Sequence, residues 1–140
     1  MNPDLSWVLD DVLQVRGARH AILVSADGLL LERASAQSPD VAELGRDDAE
    51  THAAAMSSMQ SLSRAVAPFV SAGQGQWKQT LIEYDGGWIF LIAAGRGAYL
   101  AASTALDVDM EAMSFSMQRQ VAALGKAMTT PPRQNAGSGA

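Results

Sequence analysis

Apolar residues recur along the chain with two different spacings, which together predict three helices and five strands. Apolar positions three and four residues apart line one side of a helix, whereas alternation and short apolar runs are typical of strands. The predicted order is helix, two strands, helix, three strands and helix. The predicted strands span residues 20–24, 29–34, 77–84, 88–94 and 98–104, and the predicted helices span residues 3–16, 48–72 and 107–128.

Short turn motifs separate these elements. The Asn-Pro pair at 2–3 is typical of a helix start, because proline needs no hydrogen-bond donor in the first turn. Gly17 is placed to end that helix in the left-handed conformation. Asp-Gly pairs at 27–28 and 85–86 predict two hairpins, since glycine provides the positive φ that a tight turn needs. Asp107 is the predicted cap of the last helix.

The second helix has two different uncharged faces. Large apolar residues form a stripe that is predicted to pack on the sheet: Met56, Met59, Leu62, Val66, Phe69 and Val70. Roughly opposite, at about 100° per residue, lie four small residues: Ala54, Ser58, Ser61 and Ala65. A small, uncharged face allows a second helix to approach closely, and charge depletion is typical of interface cores. An Ala-rich helix in an Ala-rich chain is the alternative explanation, which the sequence leaves open.

The element order predicts an α+β fold, a five-stranded antiparallel sheet sandwiched by helices in the order α-β-β-α-β-β-β-α. The strand at 88–94 is almost entirely apolar and is predicted to be central, flanked by its sequence neighbours. The half-polar strand at 77–84 then lies at or near an edge. Because an exposed edge favours aggregation unless it is paired, we expect it to pair with its copy across a two-fold axis. Such pairing would bring the two-faced helices together.

Composition narrows the class of protein further. The chain has 140 residues and a net charge of −5, and arginine outnumbers lysine. Without a basic cluster, nucleic acid is not an expected partner. No cysteine is present, which excludes disulfides and cysteine-based metal or redox sites.

No segment predicts membrane insertion or export. The longest apolar run, at 88–94, is far too short to span a bilayer, and the first residues lack the basic start and apolar run of a signal peptide. We therefore expect a cytoplasmic protein. Its length predicts one folded domain at 1–128, followed by a disordered tail at 129–140 that is rich in Pro, Gly, Ser and Ala.

Motifs for catalysis or cofactor binding are incomplete. The Gly-Lys pair at 125–126 lacks the other elements of a phosphate loop. His20 opens a strand and His52 lies one helical turn after Asp48, but no Gly-x-Ser-x-Gly elbow accompanies them. Acidic residues at 107, 109 and 111 lack the glycine of a calcium loop and are explained by a helix start. We predict a protein that is not an enzyme, with no catalytic residue, cofactor or metal site.

Three short motifs, in this element order, resemble the roadblock family of the dynein light-chain roadblock type. They are the sequences VRGA at 15–18, ILVSADGL at 22–29 and DGG at 85–87, the last directly before an apolar strand. The resemblance covers about residues 4–128. The Ala-rich, Arg-over-Lys composition and the Met-Ser-Ser-Met motif at 56–59 most resemble an actinobacterial branch, whose members are encoded beside a sensor-kinase-like protein and a Ras-like GTPase.

The resemblance implies a non-enzymatic regulator in a bacterial signalling system. Roadblock domains generally form homodimers with one continuous sheet, bind small GTPases, and in some cases stimulate GTP hydrolysis by reshaping the active site of the GTPase. Carried onto this chain, the dimer contacts are implied to come from the second helix and the edge strand: Ala54, Ser58, Ser61, Ala65, Trp77, Gln79 and Leu81. Contacts to the GTPase are implied at Ser57, Gln60 and Arg64, and a sensor-kinase-like protein is a further implied partner.

The main alternative is a profilin-like sensory or scaffold domain that binds a kinase-like partner or a small ligand without a GTPase. A ligand-binding domain of this type needs a cavity with large walls and a few convergent polar groups. Small Ala residues dominate the strand at 98–102, which favours close backbone packing over a cavity. The sequence therefore favours a regulator of a GTPase without excluding the alternative.

Overall fold

A five-stranded antiparallel sheet with three helices is seen in the computed structural model, which describes residues 5–72, 75–95 and 97–129. The helices are α1 (Ser6–Val12), α2 (Arg46–Ala65) and α3 (Met110–Thr129), and a short 3-10 turn follows α2 at Ala67–Phe69. The strands are β1 (Ala18–Val24), β2 (Leu30–Ser35), β3 (Gln79–Tyr84), β4 (Gly87–Ala93) and β5 (Tyr99–Ala105). The predicted fold class and element order are confirmed.

The strands lie in the order β2-β1-β5-β4-β3, and every neighbouring pair is antiparallel. The edge position predicted for the strand at 77–84 is confirmed by β3. The prediction that the strand at 88–94 is central was wrong, although β3 and β5 flank it as expected. The middle strand is β5, where residues as small as Ala101 and Ala102 are buried beneath elements on both faces of the sheet.

Side chains alternate between the two faces of the sheet and build two apolar clusters. On β1, Ala21 and Leu23 belong to the cluster beneath α1 and α3, whereas Ile22 and Val24 belong to the cluster beneath α2. The cluster beneath α1 and α3 is the larger, and it contains long side chains of α3 such as Met113. Fewer buried apolar side chains lie beneath α2 than beneath α1 and α3.

Several predicted boundaries shift when tertiary contacts are present. Helix α2 ends at Ala65 rather than near 72, because Pro68 has no N–H to bond the carbonyl one turn earlier and the chain tightens into the 3-10 turn. Asp109 caps α3 in place of Asp107, since its Oδ1 accepts a hydrogen bond from the N–H of Ala112 at 3.0 Å. Gly17 has the expected positive φ of 95°. The Asn-Pro start and the tail from 130 lie outside the described residues.

A substitution at Gly87 would test how closely β4 packs beside β5. A Cβ atom added at this position would lie 1.9 Å from the carbonyl oxygen of Thr104, whereas one added at Gly86 would have no neighbour within 4 Å. We expect Gly87→Ala to lower the free energy of unfolding by on the order of 1–3 kcal/mol or more, because the two strands must separate to admit the methyl group. Urea unfolding would show this loss, with Gly86→Ala as the matched control. Equal effects of the two substitutions would contradict the packing described here.

Candidate interaction surface

The end of α2 and the turn after it leave large apolar side chains uncovered. Leu62 is 69% exposed, Val66 61%, Phe69 95% and Val70 85%. These residues were predicted to pack on the sheet, and for them the prediction was wrong. Only the first two members of the stripe, Met56 and Met59, pack against the core.

Helix geometry explains the exposure of Leu62, whereas Val66, Phe69 and Val70 follow the end of α2 at Ala65. Each step of three residues rotates by about 300°, so a line of positions three apart turns back by about 60° per step. A stripe that faces the sheet at Met56 therefore points away from it by Leu62. The residues that are buried along α2 are instead Ala49, Ala53 and Gln60.

Polar contacts hold the two flanks of α2 against different parts of the sheet. On one flank, the Ser57 hydroxyl donates to the carbonyl oxygen of Ala26 in the β1–β2 turn at 3.3 Å. On the other, Ser63 Oγ lies 2.8 Å from Thr80 Oγ1 on β3. The helix thus crosses the sheet from the β1–β2 side towards the β3 edge.

The three residues implied to contact a GTPase do not form one surface. Gln60 is buried, and its Oε1 accepts a hydrogen bond from the Tyr99 hydroxyl at 3.0 Å. The prediction that Gln60 contacts a partner is therefore corrected, because this amide is part of the core. Ser57 is half-buried and bonded to the β1–β2 turn, and Arg64 is exposed.

The small face of α2 is exposed at Ala54, Ser58, Ser61 and Ala65. Ala54 lies on the flank near the β1–β2 turn, with its Cα 3.7 Å from the place that a Cβ on Gly28 would occupy. The structure describes a single chain, so it does not test whether this face contacts a second subunit. This contact stays a prediction.

Strand β3 leaves one edge without a strand neighbour in the described part of the chain. Gln79 is exposed and Leu81 is 41% exposed on the outer strand. Trp77 lies just before β3 and turns inwards: its ring packs edge-on against Tyr99 with centroids 6.0 Å apart, and its Nε1 donates to Thr80 Oγ1. The predicted contribution of Trp77 to a dimer is therefore restricted to its half-exposed edge, and it too stays a prediction.

A cavity of about 240 Å³ opens between α2 and the sheet. Its apolar lining includes Ile22, Leu44, Met56, Ile89 and Ala101, and its polar lining consists of His20, His52 and Ser103. The expectation that small strand residues favour close packing over a cavity was wrong here, because the side chain at Ala101 is too short to fill the space beneath α2.

The polar groups of this cavity are few. His20 Nδ1 lies 2.9 Å from Ser35 Oγ. Burial lowers the pKa of His20, and the nearby Arg19 and His52 lower it further. Ser103 Oγ is buried and makes no hydrogen bond within the described structure. Neither imidazole is hydrogen-bonded to a carboxylate among the described residues, so the arrangement does not resemble a catalytic dyad.

The exposed apolar residues at the end of α2 lie beside a strand edge that has no strand neighbour in the described part of the chain. The sequence matches the Roadblock/LC7 domain family over residues 5–104, and the chain belongs to this family. Proteins of the family are regulators or scaffolds. None of the described helices is long and apolar enough to cross a membrane.

Solved structures show the same fold. The Roadblock/LC7 domain from Streptomyces avermitilis is 27% identical, with a TM-score of 0.80 over 91% of this chain and 100% of that one. The gliding protein MglB from Thermus thermophilus is 19% identical, with a TM-score of 0.75 over 87% of this chain and 86% of that one. MglB from Myxococcus xanthus is 14% identical, with a TM-score of 0.73 over 89% of this chain and 94% of that one. No curated protein matches the sequence significantly.

The Gln60–Tyr99 hydrogen bond should contribute to holding α2 in place. Tyr99→Phe removes the donor and leaves the buried amide oxygen of Gln60 without it, which should lower the free energy of unfolding by about 1–3 kcal/mol. Tyr84→Phe is the matched control, since Tyr84 is exposed on β3. Chemical denaturation of both variants would measure the difference. Comparable, small losses in the two would mean that the buried bond adds no net stability.

Proposed function

We propose that this protein is a non-enzymatic, homodimeric regulator that binds a small Ras-like GTPase. The observation that carries the proposal is the uncovered apolar surface of Leu62, Val66 and Phe69 beside the free edge of β3. A monomer in water would expose these side chains and an unpaired strand edge together. Contiguous apolar patches of this kind mark protein-binding sites.

A second copy can cover both features at once. Antiparallel pairing of β3 with its copy satisfies the free N–H and C=O groups of the edge and continues the sheet across both subunits. The Ser63–Thr80 contact places the end of α2 next to β3. The same pairing therefore brings the two α2 helices side by side on one face of the joined sheet.

Within this dimer, α2 contributes its outer surface. Leu62 and Val66 lie on the side of the helix that turns towards β3, as Ser63 does, while Ser58 and Ala65 adjoin them by helical spacing. Ala54 and Ser61 lie nearer the β1–β2 flank and would join the contact only at its margin. On β3, Gln79 and Leu81 are proposed to meet their copies across the strand pair.

Membership of the roadblock family supports the assignment to a GTPase. The proposal places the GTPase near Arg64, whose planar guanidinium can pair with a carboxylate or phosphate group. Ser57 adjoins this region but is already bonded to the β1–β2 turn. Regulation, including any stimulation of hydrolysis, would come from reshaping the active site of the GTPase. A sensor-kinase-like protein is a further proposed partner in a bacterial cytoplasmic signalling system.

The second candidate function is a profilin-like sensory or scaffold domain without a GTPase. The cavity beneath α2 favours it, because apolar walls with a few polar groups are typical of small-ligand sites. A cavity that a second subunit covers would not serve this role.

Dimerisation can be tested with single charged substitutions on α2. Leu62→Arg and Ser58→Arg should each give a folded monomer, because an arginine in the helix contact would be buried without a partner. Phe115→Arg on α3 is the control, since Phe115 is exposed on the opposite side of the sheet. Light scattering would measure the mass of each variant, and circular dichroism would verify folding. Dimeric Leu62→Arg and Ser58→Arg proteins would show that α2 is not in the interface.

The assignment of the partner can be tested by mixing the protein with the Ras-like GTPase encoded nearest to its gene, in GDP and GTP-analogue forms. We expect the dimer to bind one nucleotide state more tightly, with Arg64→Ala weakening binding by roughly tenfold. Arg16→Ala is the control, because Arg16 is exposed outside α2. Titration calorimetry would give the affinities, and phosphate release would give hydrolysis rates. Failure to bind either state would leave a scaffold or a ligand sensor.

A further inference from the structure

We infer that the cavity beneath α2 receives the apolar segment that follows the α2 helix of a second copy, with the partner's Val66 and the partner's Phe69 as the inserted side chains. This inference rests on the homodimer of the proposed function and adds what each subunit inserts and where. It accounts for two features that have no contact partner within the described chain: a largely apolar cavity and an almost fully exposed phenylalanine, Phe69.

The cavity lies near the end of the sheet where α2 begins. His20 on β1 is opposite Ser103 on β5, and Ser103 is opposite Ile89 on β4, so these three lining residues form one row across the sheet. Ser35 on β2 extends the row, and its hydroxyl accepts a hydrogen bond from the N–H of Leu44 just before α2.

Helix α2 reaches the opposite end of the sheet at Gln60 and then runs towards the β3 edge. Gln60 bonds to Tyr99, the first residue of β5, which pairs with Val24 at the end of β1. From there the helix continues towards β3, where Ser63 meets Thr80. Because the helix leads away from the cavity, a chain does not fill its own cavity with its own Phe69, which is 95% exposed.

In a two-fold symmetric dimer, the segment that approaches the cavity of one chain comes from its partner. When β3 pairs with its copy in antiparallel fashion, the symmetry axis is perpendicular to the sheet, so both α2 helices stay on the same face while the two ends of the sheet exchange. The segment that follows the partner's α2 then lies over the shared β3 edge, on the face of this sheet where the cavity opens. The exposed apolar segment and the hollow then face each other twice in one dimer.

The distances are compatible with insertion. Two strand spacings of about 4.8 Å separate the partner's β3 from this chain's β4, a distance of about 10 Å. The segment from Ser63 to Phe69 passes through the end of α2 and the 3-10 turn, and a rise of about 1.5–2.0 Å per residue gives an advance of about 9–12 Å. If the partner's segment advances across the strands from its own β3, this length is sufficient to place the partner's Phe69 over β4 of this chain, beside Ile89.

The chemistry of the two surfaces also matches. A cavity of about 150 Å³ holds benzene, so about 240 Å³ accommodates a phenylalanine ring with part of a neighbouring side chain. The walls offer Ile22, Met56 and Ile89 for apolar contact. Burial lowers the pKa of His20, which favours the neutral imidazole and makes the cavity more suitable for an apolar side chain. The segment from Val66 to Val70 carries no charge either.

Disulfide trapping between two different variants tests this placement directly, because the natural chain contains no cysteine. Phe69→Cys protein would be mixed with Ile89→Cys protein under mild oxidation, and Val66→Cys protein with His52→Cys protein. Each mixture should give a cross-linked pair containing one chain of each kind. The matched control is Phe69→Cys with Phe115→Cys, which places the second thiol on α3 and should not cross-link.

Two further measurements separate failure of this inference from failure of the proposed dimer. Leu81→Cys alone reports strand pairing by cross-linking to its own copy, and light scattering reports the mass of every mixture. A dimer that forms the Leu81 cross-link but neither helix–cavity cross-link would overturn the inference and leave the dimer intact. A monomer in all samples would remove both.

Truncation of the inserted ring provides an independent readout. Phe69→Ala should raise the dissociation constant of the dimer by about tenfold or more, whereas Phe115→Ala should leave it unchanged. The thiol of His52→Cys protein should also become unreactive towards maleimide when the dimer forms. An unchanged dissociation constant for Phe69→Ala, or a thiol that stays reactive in the dimer, would show a cavity that remains open to small ligands and would overturn the inference.

Discussion

The position in which α2 packs on the sheet determines which side chains of this helix are buried and which stay exposed. Ala49 and Ala53 are completely buried, so the helix backbone lies close to the strands. The buried bond between Tyr99 and Gln60 then fixes the position of the helix along its axis, because a one-residue slide would leave two buried polar groups without partners. Once this position is set, the directions of all later side chains on α2 follow from helical geometry.

The small residues where α2 packs on the sheet have two related consequences. They bring the first half of α2 close to β1 and β2, and they leave an unfilled space where Ala101 and Ser103 lie beneath the helix flank. The large residues that would have filled such a space occur later, at Leu62, Val66 and Phe69, where the helix no longer faces its own sheet. The large exposed apolar residues and the apolar cavity thus lie in different parts of the chain, as the proposed dimer requires.

The fold could be predicted from the sequence to a large extent because its signals are local. Glycine turns, strand-length apolar runs and a helix-terminating proline act within a few residues, and they were sufficient for the element order and for the edge position of β3. The order of the inner strands was predicted less well, because β1 inserts beside β5 through contacts between residues far apart in sequence.

The burial of individual α2 residues could not be predicted for the same reason. Gln60 was taken for a surface residue because its partner, Tyr99, lies 39 positions away and carries no local signal. Leu62 and Val66 were taken for core residues because hydrophobic periodicity indicates an apolar face without indicating what covers it. In a chain that buries part of its surface only against a second molecule, periodicity predicts the apolar face of the assembly rather than that of the monomer. The disagreement between pattern and burial at α2 is therefore itself an argument for an interface, and it is strongest at the residues where an isolated chain would be least favourable in water.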